Sequence, residues 1–319
     1  MALTLAVLDS SYGDITLETA AAAGLGVDVV DARADGTAAD GVLVQYATIG
    51  AVELDANPTW RVIGRYGVGV DTIDLEAAAA RGIPVVNLPD YCEEEVATHA
   101  AALILSATRR IREADLLVRS GAWSQWGSLR PIQALSESTL SLIGIGRIGS
   151  QTIRLMAPFF GRVVAFDPFA SPIDGVELVT FEQAFALGDV VSLHCPLTAE
   201  THHIVDASAL ALMKPGAYLV NVSRGGLVDS AALADALTAG HLAGAALDVL
   251  ETEPPANDPI LTAPRVTLTN HLAWYSEQSE RRLRQLLAER CASVLVGADA
   301  PTIANRAALQ RASTGPTPG

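Results

Sequence analysis

Leu140-Ser141-Leu142-Ile143-Gly144-Ile145-Gly146-Arg147-Ile148-Gly149, a short helical stretch, and then Arg162-Val163-Val164-Ala165-Phe166-Asp167-Pro168 form the stretch that decides the fold. It spells an apolar strand, a G-x-G-x-x-G turn, a helix, and a second strand closed by an acid. In such a turn Gly144 permits the tight bend, Gly146 lets the backbone approach a pyrophosphate, and Gly149 lets the helix pack close to the strand. The helix N-terminus then presents unpaired N–H groups and its positive dipole end to the phosphates. Asp167 stands 18 positions after Gly149, near the roughly 20-residue interval expected of an acid that accepts from a ribose 2′-OH. Glycine-rich turns are common, but both strands and the acid together point to a dinucleotide. A carboxylate at that point repels the 2′-phosphate of NADP, so the expected cofactor is NAD.

Strand and helix signals alternate on either side of this stretch. Leu3–Leu8, Val27–Val30, Val42–Tyr46, Val62–Tyr66 and Pro84–Leu88 read as short strands, with helical stretches at Ile15–Ala23 and Leu75–Arg81. The pattern implies a parallel sheet with helices on both faces. Residues 93–119 read as one long helix, followed by a loop with Trp123 and Trp126. After the glycine turn, further strands are expected at Val190–His194, Tyr218–Val222, Ala245–Val249 and Val266–Thr269, with helices at Phe181–Ala186, Ser208–Met213 and Ala231–Leu237. Pro158 should stop the helix after the turn. A last helix is expected over about 276–296, and residues 312–319 read as a linker-like tail.

Composition narrows the function classes. The chain has 319 residues, half of them hydrophobic and 18% charged, enough for two domains with a sizeable core. The formal net charge of −15 excludes nucleic acid as an expected partner and disfavours anionic membrane surfaces. Cys92, Cys195 and Cys291 are widely spaced and form no C-x-x-C pair, so neither a metal site nor a disulfide framework is expected. The N-terminus lacks the basic flank of a signal peptide, and no apolar run reaches the roughly 18 residues of a membrane span. A cytoplasmic protein is expected.

Three segments follow the glycine motif, each starting at the carboxyl end of an expected strand: Asn221–Asp229, Ala246–Pro255 and Thr269–His271. That edge is where doubly wound sheets bind ligands. Reduction of a 2-keto acid requires a cation for the carboxylate, an acid for the carbonyl oxygen, and a group that keeps the acid protonated. Arg224 suits the first with its bidentate fork. His271 suits the second, and Glu253 suits the third, since a nearby carboxylate favours an imidazolium. Taken singly, each has a plainer reading: an Arg packed over a loop, an acid in a turn, a capping His. Their shared position downstream of a dinucleotide motif favours chemistry. Among the other histidines, His194 reads as a packed strand residue, His202 and His203 as a diverging pair, and His99 and His241 as residues without a partner set.

Here the chain resembles the D-isomer-specific 2-hydroxyacid dehydrogenase family over nearly all of its length. The resemblance rests on Arg65–Asp71, the glycine motif, His194–Thr198, the Arg224 segment, Asp248–Pro254 and His271. It is similar in detail to the C-terminal-binding-protein branch through Ala273-Trp274-Tyr275-Ser276-Glu277-Gln278. The resemblance implies an α/β protein of two doubly wound parallel-sheet domains. One is a Rossmann NAD-binding domain at residues 99–274. The other is a flavodoxin-like substrate domain at residues 1–98 plus 275–319, with the active site in the cleft.

It also implies Arg224, Glu253 and His271 as the catalytic set. Arg147 and Ile148 would meet the pyrophosphate, while Cys195 and Pro196 would line the adenosine side. Val222 and Ser223 would border the cofactor, and Asp248 would receive the nicotinamide carboxamide. The Tyr66–Val70 loop, through Val68 and Gly69, would offer N–H groups to the substrate carboxylate, with Arg65 and Trp274 as further substrate contacts. Asn270 replaces the usual Pro, and Glu93 the usual small hydroxyl residue. The implied activity is NAD-linked interconversion of a 2-keto acid and a D-2-hydroxy acid by a homodimer. A partner-binding, NAD-sensing scaffold with little turnover is the alternative. The intact catalytic set and the lack of an N-terminal extension favour the enzyme, and Glu253, where formate dehydrogenases resemble a Gln, disfavours that branch.

Overall fold

The structure, a computed structural model, describes residues 2–33 and 38–313. Among the described residues the chain divides into two units, residues 1–92 with 276–319, and residues 93–275. In the first unit β1 (Leu3–Asp9), α1 (Thr16–Ala23), β2 (Val27–Asp31), β3 (Gly41–Val44), α2 (Ala51–Ala56), β4 (Val62–Arg65), α3 (Leu75–Ala80) and β5 (Val85–Val86) follow one another. The strands pair in parallel in the order β2-β1-β3-β4-β5, the flavodoxin-like order of a doubly wound sheet. β3 is buried on both faces, which is why it reads as a continuous apolar run rather than an alternation. Val42, Ile49, Leu54, Trp60, Ile63 and Ile83 form the core on one side. α2 is not among the helices expected from sequence; Glu53 Oε2 accepts from the Gly50 N–H at its start.

The second unit opens with α4 (Glu93–Thr108) and α5 (Ile111–Arg119), not with the single helix expected across 93–119. Arg110, at φ 52°, turns the backbone left-handed between them. Helix propensity runs on through this point, but packing does not. α4 buries Val96, Ala97, Ala100, Leu103, Ile104 and Ala107, whereas α5 buries none of its residues. Then come β6 (Thr139–Ile143), α6 (Arg147–Met156), β7 (Arg162–Phe166), β8 (Glu177–Leu178), α7 (Phe181–Leu187), β9 (Val190–Leu193), α8 (Ala207–Leu212), β10 (Tyr218–Asn221), α9 (Ser230–Thr238), β11 (Gly244–Leu247) and β12 (Val266–Leu268). α6 stops before Pro158, which sits in a single 3₁₀ turn, Ala157–Phe159. β8, two exposed residues at the sheet edge, carries too little pattern to be read from sequence.

All seven strands run parallel, in the order β12-β11-β10-β9-β6-β7-β8. This is the Rossmann arrangement with an added strand, and its order reverses between β6 and β9. A doubly wound sheet binds ligands outside the carboxyl ends of its strands at such a reversal. Phe185, Leu193, Leu219, Leu233 and Leu237 are fully buried on one face of this sheet.

The chain then returns to the first unit through α10 (Glu277–Leu295), capped by the Ser276 hydroxyl on the Ser279 N–H, and α11 (Arg306–Ser313). Arg284 of α10 grips Glu18 of α1 through two 2.8 Å contacts, with both side chains buried. Tyr66 donates its hydroxyl to the same carboxylate at 3.0 Å. Asn305 accepts from the Val85 N–H and donates to the Ile83 carbonyl, which fixes the segment leading into α11. Ala312 and Ser313, expected in a tail, complete that helix, and the tail expected over 314–319 lies outside the described residues.

Candidate active site

Every segment singled out in the second unit emerges at the carboxyl edge of its sheet. The glycine turn follows β6. Gly144 has φ +90°, and a Cβ there would lie 2.8 Å from Cys195 N. A Cβ on Gly149 would lie 2.4 Å from the Gly144 carbonyl oxygen, so only glycine lets α6 start this close to the turn. Gly146 meets nothing within 4 Å and caps α6 with an extended backbone, leaving room for a phosphate beside the first N–H groups of the helix. Asp167, just past β7, accepts from the Ile145 N–H and the Phe169 N–H, each at 2.9 Å. Its carboxylate is thereby turned toward the glycine turn. Arg147 lies 3.6 Å from Glu93. Cys195 and Pro196 follow β9 across the reversal, and burial pushes the Cys195 thiol up to about 11. The geometry fits a dinucleotide: a turn left open at Gly146, a helix N-terminus and a carboxylate beside it.

His194, just past β9, is half-buried, and desolvation of its ring lowers it to about 4, so the ring is neutral near pH 7. Its Nε2 lies 2.9 Å from Ser192 Oγ.

Arg224 stands on the turn after β10. Asn221, buried at the strand end, shapes that turn: its Nδ2 donates to the Arg224 carbonyl and its Oδ1 accepts from the Ser223 N–H. Ser223 Oγ donates to the Leu193 carbonyl at 3.1 Å, and Arg224 Nη1 to the Ser223 carbonyl at 2.7 Å. Val222, between them, is buried. Asn221 was not anticipated; the signal was a polar residue closing an apolar strand.

Glu253 and His271 meet. His271 Nδ1 lies 2.6 Å from Glu253 Oε2, and Glu253 Oε1 accepts from the Leu250 N–H at 2.9 Å. Because a carboxylate only accepts, the ring must donate from Nδ1, which leaves Nε2 for a substrate. Burial pulls the Glu253 carboxyl upward, but the hydrogen bond and charge of His271, the Leu250 N–H and the Arg224 charge outweigh it. The group ends below its ordinary value.

His271 is held at φ 56°, a left-handed conformation that costs a non-glycine residue energy. Asp248 stabilises it. This carboxylate is 1% exposed. Its Oδ1 accepts from Thr269 Oγ1 at 2.5 Å and from the Leu272 N–H, and its Oδ2 accepts from the Ala273 N–H. Its backbone carbonyl accepts from the His271 N–H at 2.7 Å. His99, expected to lack partners, instead lies 3.1 Å from Thr269 Oγ1 and 3.5 Å from Asp248 Oδ1. Its partners are some 150 residues and more away along the chain, beyond any local pattern. Trp274 stands in the same loop, edge-on to Tyr275.

Arg65, Val68 and Gly69 belong to the first unit, at the carboxyl end of β4. The Arg65 guanidinium lies over Gly67, where a Cβ would come within 1.8 Å of Nη1. Asn87 Nδ2 donates to the Val68 carbonyl, and Leu88 N–H to the Gly67 carbonyl, fixing the loop. No group of three or more His, Cys, Asp or Glu side chains suited to a metal occurs among the described residues.

Residues 101–273 match the model of the D-isomer specific 2-hydroxyacid dehydrogenase, NAD binding domain. The chain is 40% identical over 272 residues to a D-3-phosphoglycerate dehydrogenase of Mycobacterium bovis, covering 84% of this chain and 51% of that protein. It thus spans about half the length of the curated relatives it matches first. A glyoxylate reductase of Thermofilum pendens is 37% identical over 82% of this chain and 80% of its own length. The crystal structure of a D-lactate dehydrogenase from Aquifex aeolicus, complexed with NAD and lactic acid, superposes with a TM-score of 0.82 at 28% identity, covering 92% of this chain and 96% of that one.

Proposed function

The chain belongs to the D-isomer specific 2-hydroxyacid dehydrogenase family, and on that premise we propose that it interconverts a 2-keto acid and a D-2-hydroxy acid with NAD(H). The observation that carries this reading is the 2.6 Å contact of His271 Nδ1 with Glu253 Oε2, in reach of the Arg224 charge. The named substrates of the relatives, glyoxylate, lactate and phosphoglycerate, share a 2-oxygenated carboxylate, the chemistry that this triad suits.

The Gly144–Gly149 turn and Asp167 would hold the dinucleotide, which when bound would supply or take up the hydride. The residues do the rest. Arg224 holds the substrate carboxylate bidentately and so fixes the keto carbon. His271 Nε2 gives its proton to the carbonyl oxygen in reduction and removes it in oxidation. Glu253 orients the ring and balances its charge when protonated. Asp248 keeps the His271 loop in its left-handed turn and, as the family resemblance implies, receives the carboxamide. Cys195, Pro196, Val222 and Ser223 border the cofactor. Arg65, Val68, Gly69 and Trp274 are assigned to substrate, and the first unit is the substrate domain.

We assign a homodimer, supported by exposed apolar side chains on the arm after α4, including Trp123 at 77% and Trp126 at 60% exposure. A cytoplasmic location is supported by three free thiols, and no described helix is long and apolar enough to cross a membrane. The likeness of residues 273–278 to the C-terminal-binding-protein branch supports a place near that branch. Reduction of a 2-keto acid by NADH, with a D product and dependence on His271, tests the reading.

A further inference from the structure

The catalytic groups ride on two separate turns, Arg224 on one and Glu253 on the other, so their spacing depends on how those turns are joined. The join is tight: a Cβ on Gly225 would sit 1.9 Å from the carbonyl carbon and oxygen of Leu250. Two adjacent histidines, His202 and His203, lie beside it, their rings stacked at 4.0 Å between centroids. His203 N–H donates to the Gly226 carbonyl at 2.9 Å, on the Arg224 turn. Its ring Nε2 lies 2.7 Å from Glu251 Oε1, on the Glu253 turn. Glu251 Oε2 in turn accepts from the Ser230 N–H at 3.4 Å. The next residues continue the attachment, since Val205 N–H donates to the Leu227 carbonyl and Asp229 N–H to the Val205 carbonyl. His203 also holds a left-handed backbone, φ 51°, a conformation that a residue with a Cβ keeps only when its surroundings enforce it.

We propose that His203 is a positioning residue: with Glu251 it clamps the Arg224 turn to the Glu253 turn and so sets the distance between the carboxylate-binding cation and the acid–base pair. One residue reaches the first turn with its backbone N–H and the second with its ring, so neither turn moves without straining the other. The ring nitrogen must be the donor, because a carboxylate has no proton to give. Only the catalytic consequence rests on the function proposed above; the clamp itself is a property of the apoprotein.

The test compares His203→Leu, His203→Gln, Glu251→Leu and the double variant His203→Leu/Glu251→Leu. Leu and Gln strain a left-handed backbone alike, but Gln keeps a donor near the place of Nε2. Two readouts are taken: amide exchange of Leu250, whose N–H is bonded to Glu253, and kcat/KM for an active 2-keto acid at saturating NADH. Two groups in direct contact lose the same interaction when either one is removed. Each Leu variant should therefore speed Leu250 exchange and lower kcat/KM by about tenfold, chiefly through the KM for the keto acid. The double variant should be no worse than either single one, and His203→Gln should recover most of the loss. Unchanged exchange in His203→Leu, or single effects that multiply in the double variant, overturns the clamp. A wild-type chain that turns over no keto acid contradicts the proposed function instead, and Leu250 exchange then decides the clamp alone.

Discussion

His271 Nδ1 and Glu253 Oε2 stand 2.6 Å apart, on loops 18 residues apart in sequence that leave neighbouring strands, β12 and β11. The pair joins a group that can give up a proton to one that stabilises its charged form. Neutralising Glu253 in Glu253→Gln withdraws the charge facing the protonated ring, so keto acid reduction should lose activity at lower pH than in wild type. The carboxyl of Glu253 is held below its ordinary value of 4.5. Its contribution is therefore present above that value and lost as pH falls through the lowered one, and wild-type kcat/KM should hold on the acid side down to below pH 4.5. A kcat/KM profile against pH for both proteins checks this; superimposable profiles would remove Glu253 from the mechanism.

Asp167 faces the glycine turn proposed to hold the dinucleotide and accepts from the Ile145 N–H. A 2′-phosphate placed there would meet a carboxylate. NADH should be preferred over NADPH by well over tenfold, and Asp167→Ser should narrow that ratio, mostly by weakening NADH and admitting NADPH. Fluorescence titration of both cofactors measures it. Equal use of NADPH by the wild type would sink this reading of Asp167.

Arg65 carries a charge at the end of β4, in the loop whose Gly67 backbone leaves room for its guanidinium. Its assignment to substrate favours an acid with a second anionic or strongly polar group. Loss of a charge-assisted contact costs about 1.5–3 kcal/mol, or roughly one to two orders of magnitude in rate. Arg65→Met should lower kcat/KM by that much for the preferred acid and leave NADH binding nearly unchanged. If every active keto acid is reduced as fast as before, Arg65 serves the fold alone.

The arm after α4 exposes Ile111, Leu116, Val118, Trp123 and Trp126. Burial of this surface in a second copy predicts a dimer at micromolar concentration by sedimentation velocity, and Trp123→Glu should shift it toward monomer. A wild-type monomer at those concentrations would count against the interface.

What the sequence revealed follows from the range of the interactions. Gly144, Gly149, Asp167, Arg224, Glu253 and His271 are legible because each sits in a short motif at a strand end, and the alternation of strand with helix signals reports both sheets. Arg110 was not, because its left-handed turn is decided by where α4 stops packing, not by propensity. His99 on Thr269 and Asp248, Arg284 on Glu18, and His203 on Glu251 join residues far apart in sequence. A single side chain carries no local sign of such a contact, so these residues read as plain helix or turn positions. Asp248 was read as a cofactor contact from its motif, and only the fold reveals how much of its carboxylate is engaged by the loop of His271.

The most direct measurement is the reduction of a panel of 2-keto acids by NADH, with chiral analysis of the product, for the wild-type chain and for His271→Ala. A positioned general acid is worth about 10²- to 10⁴-fold. The expected result is stoichiometric NADH oxidation to the D-2-hydroxy acid by the wild type, and a fall in kcat of that size in His271→Ala while NADH still binds. An L product, or a His271→Ala variant as fast as wild type, would contradict the assignment of His271 as the acid and of this chain as a D-2-hydroxyacid dehydrogenase.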